Sequence, residues 1–181
     1  MKDLGKLHYF LGIEVAWLAD GSLHLSQTKY IRDLLQRAVM LDANPQPTPM
    51  VSTSRLTIGG SVAVENPTLY RSIVGALQYI TLTRPELSFS VNKVCQFMHS
   101  PRLHHWKVVK RILRYLAGTL HHGLLLHPIT NFSIIAFSDS DWGFDLDDRK
   151  STSGYCIYIG RNLVSWLSRK QKIVSRSSTE A

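Results

Sequence analysis

Cysteine is scarce in this sequence: it has two, Cys95 and Cys156, far apart along the chain. That excludes a disulfide framework and makes a reducing compartment the expectation. Long apolar runs are missing as well. No uninterrupted stretch approaches the roughly 20 residues that a membrane span needs, so no membrane partner is expected. The opening Met1-Lys2-Asp3-Leu4-Gly5 has neither a signal-peptide core nor the Arg/Ser-rich look of a transit peptide. An intracellular, non-secreted protein is expected, with nucleus, cytoplasm and organelle all open. No Gly-rich phosphate loop, G-x-S-x-G elbow or internal repeat occurs, and no small-molecule substrate is evident.

Metal and nucleophile constellations are equally thin. His104-His105, His121-His122 and Cys95 with His99 supply at most one half of a zinc site, which needs two. Ser138 beside Asp139 lacks a histidine placed to orient it, which argues against a triad.

Acidic residues are absent between Glu86 and Asp139, where Lys93, Arg102, Lys107, Lys110, Arg111 and Arg114 fall. An acidic patch follows (Asp139, Asp141, Asp145, Asp147, Asp148), and Arg149 to Arg176 turns basic again. The net charge is +8. A basic surface flanking an acidic pocket suits a polyanion held by Lys and Arg while carboxylates sit over one phosphate. Ordinary solvated faces on a mildly basic protein are the alternative.

What is present reads as follows. Leu7 to Val15, the Asp20-Gly21 turn signal and Ser22 to Ser26 predict a β-hairpin. Ser26 can cap a helix through about Leu41, with Tyr30, Ile31, Leu34, Leu35, Ala38 and Leu41 at helical spacing. Residues 44–68 are rich in proline and form an expected extended linker crossing a surface. Three helices should follow. Tyr70 to Leu82 has Ile73, Val74, Leu77, Tyr79 and Ile80 inward. A second starts at Thr83-Arg-Pro-Glu86 and runs to about His99, with Phe89, Val91, Val94, Phe97 and Met98 inward. The third, His104 to Leu116, carries one stripe of Trp106, Val109, Leu113 and Leu116 and another of Lys107, Lys110, Arg111 and Arg114. That cationic stripe is the best phosphate-binding candidate, against a solvated outer face.

From Gly123 the period changes to strands, at 123–127, 132–138, 154–160 and 163–167. Consecutive strands with short turns imply an antiparallel meander. Helices first and strands afterwards give an α+β chain, not an alternating parallel sheet. Asp139 is expected to end a buried strand, rigid enough to be one ligand of a two-metal phosphoryl-transfer site, with Asp141 on the same face. Asp145, Asp147 and Asp148 read as solvated turn residues.

These residues also carry a resemblance. Lys2-Asp-Leu-Gly-Lys-Leu-His-Tyr-Phe-Leu-Gly-Ile-Glu-Val15, Tyr70-Arg-Ser-Ile-Val-Gly-Ala-Leu-Gln-Tyr79, Thr83-Arg-Pro-Glu86, Lys110-Arg-Ile-Leu-Arg-Tyr-Leu-Ala-Gly-Thr119, Ser138-Asp-Ser-Asp-Trp142, Asp148-Arg-Lys-Ser-Thr-Ser-Gly-Tyr155, Val164-Ser-Trp166 and Ser177-Ser-Thr-Glu-Ala181 occur in this order. Together they resemble the Pol polyprotein of copia-type LTR retrotransposons in its plant form, over essentially the whole chain. The resemblance implies residues 1–26 as the end of a reverse transcriptase palm. It implies 27–122 as thumb and connection helices with the linker, and 123–181 as the start of a ribonuclease H domain whose antiparallel sheet is incomplete. In that family the ribonuclease H site opens with the residue matching Asp139, a Mg²⁺ ligand in a complete domain. Its second carboxylate would fall one position beyond Ala181, and Glu180 is the neighbouring Glu. The polymerase Asp-Asp pair would fall before Met1.

The expectation is therefore a fragment derived from an RNA-directed DNA polymerase and ribonuclease H, catalytically inactive alone and needing no cofactor in isolation. The alternative is a non-catalytic module that binds RNA–DNA hybrid or DNA duplex through Lys107, Lys110, Arg111 and Arg114. An uncovered apolar face and an open edge are expected on the C-terminal sheet.

Overall fold

A computed structural model describes residues 5–51 and 55–180. Lys2 to Leu4 and Ala181, which belong to the first and last of the blocks above, lie outside the described residues. The chain is α+β. Strands β1 (Tyr9–Phe10), β2 (Ile13–Trp17) and β3 (Leu23–Ser26) lead into helices α1 (Thr28–Arg37) and α2 (Pro67–Ile80). A 3-10 turn (Pro85–Leu87), α3 (Ser88–Cys95) and α4 (Leu103–Gly118) come next, then β4 (Leu124–Leu126), β5 (Ile134–Ser140), β6 (Thr152–Ile159) and β7 (Asn162–Lys170). Two antiparallel sheets result, in the orders β1-β2-β3-β4 and β5-β6-β7.

Leu7 to Val15 is not one strand. Leu11 and Gly12 both take positive φ, making a two-residue turn that pairs Phe10 with Ile13. The hairpin at Asp20-Gly21 forms as expected: Gly21 has φ 81° and Asp20 Oδ1 accepts from Ser22 N at 2.9 Å. The expected four-strand meander is split. Leu124 to Leu126 pair with β3, not with the strands that follow them. A strand list cannot show this, because the edge of β3 is distant in sequence from β4.

Ser26 does not cap α1. Gln27 stands at the cap position but its side chain makes no capping bond, while the Ser26 hydroxyl donates to Glu14. The helix stops at Arg37 because Val39 enters the left-handed region, at φ 54°. Met40 N then bonds Leu35 O and Val39 N bonds Gln36 O, the double closure usually made by glycine. At α2, Asn66 Oδ1 caps Leu69 N and Pro67 occupies the first turn. The helix expected to run to about His99 ends at Cys95, and its start is the separate 3-10 turn.

The core belongs to the helices. Ile31, Leu34 and Leu35 of α1 meet Ile73, Leu77 and Ile80 of α2, Val91 and Val94 of α3, and Val109, Ile112, Leu113 and Leu116 of α4. At roughly 1.5–3 kcal/mol per buried aliphatic side chain, this cluster dominates the folding energy. No residue of β5, β6 or β7 enters it among the described residues. Phe89, expected inward, is exposed and faces a cleft instead.

The C-terminal sheet is attached by polar and aromatic contacts. Trp166 Nε1 donates to Thr81 O at 3.1 Å. Asn162 bonds both the N–H and the carbonyl of His127 at 2.8 Å. Linker residue Ile58 donates its N–H to Asp147 at 2.8 Å. Arg55 and Lys93 both lie over the Phe144 ring.

Candidate functional site

Asp139 sits in the last turn of the pleat of β5, opposite Gly154 of β6. The strand that carries it is not buried. It is an edge, and its apolar side chains face solvent: Ile134 is 72% exposed and Phe137 60%. Periodicity marked a strand correctly but could not mark what covers it. One Asp139 oxygen accepts from its neighbour's N–H, Ser140 N, at 2.9 Å.

Asp141 does not share that face as a strand residue. β5 ends at Ser140, and Asp141 turns back to accept from Thr152 N at 2.9 Å, while its own N–H bonds Thr152 O. Its carboxylate closes the strand end. Asp145, read as a solvated turn residue, is 5% exposed and paired with Lys170 at 2.8 Å. Lys170 reaches Asp148 at the same distance. Burial alone would lower the Lys170 ammonium, but its bonds to Asp145 and Asp148 hold it above the ordinary lysine value. Burial likewise raises the Asp148 carboxyl, and the bonds from Lys170 and from Lys150 N–H outweigh it, leaving it below the usual range. Asp147 is tied to the linker.

The acidic patch thus resolves into separate structural tasks. Among the described residues no group of three or more His, Cys, Asp or Glu side chains converges where a metal could sit. A Mg²⁺ ion keeps its waters and needs carboxylates aimed together, so the residues described here do not fit the two-metal site that the resemblance implies.

Two clefts meet at Asp139. One, of about 790 Å³, lies between the sheet and the 3-10 turn with α3, lined by Glu86, Phe89, Phe137, Trp166 and Leu167. The other, of about 680 Å³, is more polar than the first and basic, with Ser138, Ser153, Arg169, Lys170 and Lys172 lining it together with Asp139. Arg169 and Lys172 had no motif to single them out; the basic turn after Arg149 was the available signal.

The α4 cations do come together. Lys107, Lys110, Arg111 and Arg114 line one cleft of about 460 Å³ with Gln46 of the linker. They are not equivalent. Lys107 and Lys110 are exposed, with Lys110 over the Trp106 ring at 5.9 Å. Arg111 donates to Gln46 Oε1 at 3.1 Å and Thr48 Oγ1 at 2.8 Å, and Arg114 donates to Asn44 O. Two of the four therefore clasp the proline-rich linker onto the helix, beside the Gln46 N–H bond to Arg114 O.

Sequence reasoning treated Thr83-Arg-Pro-Glu86 as a helix boundary, and its larger role was missed. Arg84 is 1% exposed and joins the 3-10 turn to the end of α4. It donates to Glu86 at 2.6 Å and, through both terminal nitrogens, to the carbonyl and hydroxyl of Thr119 at the C-terminus of α4. Thr83 donates to Gln27 Oε1 at 2.9 Å in the interior. Burial holds two further groups uncharged: the Cys95 thiol is pushed up to about 11 and the His105 imidazole down to about 4.

Comparison with known proteins gives full-length matches. The retrovirus-related Pol polyproteins from transposons RE2 and RE1 of Arabidopsis thaliana are each 51% identical over 181 residues, all of this chain and 12% of each relative. The uncharacterized mitochondrial protein AtMg00810 of Arabidopsis thaliana is 49% identical over 183 residues, covering 99% of this chain and 74% of that protein. The chain thus spans about an eighth of the length of the two polyproteins it matches. No family model matches, and no solved structure matches.

Proposed function

Because the chain belongs to the retrovirus-related Pol polyproteins of plant transposons, we propose that its 181 residues are the copia-type bridge between a reverse transcriptase and its ribonuclease H. On this reading α1 to α4 are thumb and connection, and β5 to β7 open the ribonuclease H sheet with Asp139 as its first carboxylate. The observation that carries the activity reading is the isolation of Asp139. Asp141 accepts from Thr152 N at the end of the strand, Asp145 is paired with Lys170, and Asp147 accepts from Ile58 N. With no three metal-ligating side chains converging among the described residues, a pair of Mg²⁺ ions that must lie about 4 Å apart to clamp attacking and leaving oxygens has nothing to fix it. On this reading a polypeptide of these residues alone is inert as a nuclease. Incubation with labelled RNA–DNA hybrid and Mg²⁺ should leave the RNA strand intact. Cleavage that disappears in Asp139→Asn would overturn this reading.

A specific observation also favours the duplex-binding alternative. Four cations share one cleft, and none of them is ion-paired among the described residues. Hybrid or DNA duplex should bind there with strong salt dependence. Lys107 and Lys110 are the informative positions because neither holds the linker. Changing each to Ala should reduce the slope of log K against log salt by about 1 and weaken all sequences alike. Fluorescence anisotropy across a salt series reads this; an unchanged slope in the double variant removes the cleft from the binding surface.

A further inference from the structure

The cationic face of α4 is covered along part of its length by the chain's own linker. Residues 44–48 lie against it and take up the donors of two of its arginines. Arg111 donates through one terminal nitrogen to Gln46 Oε1 at 3.1 Å and through the other to Thr48 Oγ1 at 2.8 Å. Arg114 Nε donates to the Asn44 carbonyl, and Gln46 N–H donates back to the Arg114 carbonyl at 3.3 Å. Pro45 rests on Gly118 at the end of α4, so closely that a methyl group added to Gly118 would stand 2.8 Å from Pro45 Cβ.

Every acceptor that the linker offers is neutral: an amide oxygen, a hydroxyl and a backbone carbonyl. Among the described residues neither arginine is ion-paired, so both keep their full charge. A phosphate grips a guanidinium best with two oxygens on two neighbouring N–H groups. On Arg111 the linker stands on both terminal nitrogens, and Nε is buried without a partner. The fork is therefore not open to such a phosphate while the linker is seated. Lys107 and Lys110, on the same face, stay exposed and carry no linker contact.

We propose that residues 44–48 are a built-in competitor for this cleft: the linker and a phosphate of the duplex backbone exclude one another at Arg111 and Arg114. Full engagement of a duplex then requires the linker to lift. The inference rests on the duplex-binding reading of the cleft and adds its regulation. Lys107 and Lys110 take the first phosphates, since nothing covers them. The next phosphate displaces neutral acceptors from Arg111 and Arg114, because its bonds to a guanidinium are charge-assisted on both sides. A duplex that needs the linker open loses apparent affinity in proportion to the fraction of chains in which it is shut.

Two variants loosen the linker without touching a cation. Gly118 is the last residue of α4 and its φ is not in the left-handed region. Alanine there suits the helix, while its methyl group meets the Pro45 ring. Gln46→Ala with Thr48→Ala removes both acceptors from Arg111. If the linker competes, each loosened chain should bind a short labelled RNA–DNA hybrid about three- to tenfold more tightly than the native chain. If the linker instead aims the guanidinium groups at the duplex, the acceptor variant binds more weakly.

Fluorescence anisotropy of the full 181-residue chain at fixed salt reads the sign. Tighter binding by both loosened chains supports the competition, and so does binding by them where the native chain shows none. Equal or weaker binding by either, with the salt slope still reduced by Lys107→Ala and Lys110→Ala, overturns the competition and leaves the duplex reading standing. No binding by any of these chains overturns both. If a loosened chain does not fold, ¹⁵N relaxation of the native chain decides. The Gln46 and Thr48 amides should pass from rigid, with order parameters of about 0.85, to below about 0.6 when the chain is saturated with hybrid. Amides that stay rigid in the complex overturn the proposal.

Discussion

Arg84 shows how far a single residue's role can exceed its sequence signal. The pattern Thr83-Arg-Pro-Glu86 was legible as punctuation, since Pro and Glu suit a helix start. Nothing local announced that the guanidinium would be buried, because its partners lie 35 residues on at Thr119, with Tyr115 stacked against it. Five fixed donors on a planar fork suit a carbonyl, a hydroxyl and a carboxylate at once, and an ammonium cannot copy that. Arg84→Met should destabilise the helical body by about 2–4 kcal/mol, since the charged hydrogen bonds to Glu86 and Thr119 are lost together. Arg84→Lys should recover only part of that loss. Urea unfolding followed by far-UV circular dichroism measures both, and a Lys variant as stable as the native chain would show that the fork is dispensable. The same limit applies to Asp139. Its place at a strand end was readable, but its isolation depends on the partners that Asp141, Asp145 and Asp147 find in three dimensions.

Elements were legible where their signals were local. Helix α4, the turn at Asp20-Gly21, the linker and all three C-terminal strands follow from periodicity and breakers. The failures share one cause, an outcome set by something distant or atypical. Strand β4 joined β3 because that edge was free; Phe89 faced a cleft because no element covers it. Helix α1 ended early at a residue that carries no stop signal. Val39 sits at φ 54° and is almost wholly exposed, so its branched side chain gains little from packing to offset a strained backbone. Glycine at this position meets no steric penalty and suits the closure that Met40 and Leu35 already make. Val39→Gly should therefore stabilise the chain by about 1 kcal/mol, after allowing for the greater freedom of glycine in the unfolded state. The change should appear as a higher urea midpoint at constant m value; a lower midpoint would mean that the Val39 side chain is supported by contacts it does not show here.

At the scale of the whole molecule, the two halves are held by different physics. The helical body has a dense aliphatic core that draws on α1 to α4, and the C-terminal sheet contributes nothing to it among the described residues. That sheet has three strands, one bare edge and a row of uncovered side chains: Phe132 and Ile134 are each 72% exposed. Three strands are near the minimum for independent stability, and only when one face is buried. Its polar links to the rest among the described residues include a Trp166 hydrogen bond, the paired bonds of Asn162 with His127, the Ile58 bond to Asp147 and the Lys93 cation over Phe144. Each is worth about 1 kcal/mol net, far short of the core's contribution. Unfolding should then not be a single transition. Amides of β5 to β7 should exchange through a local opening well below the global free energy, while α2 and α4 exchange only by global unfolding. The open edge also has few of the devices that discourage strand addition; it lacks proline and lysine, and its one charge is Asp139 at the far end. Ile134→Lys places a charge on that edge without disturbing any core contact, so it should lower self-association at high concentration and leave the melting of the helical body unchanged. Light scattering and hydrogen exchange together test the division. Equal protection in both halves, or an Ile134→Lys chain that loses helical stability, would mean that the sheet and the helices fold as one unit.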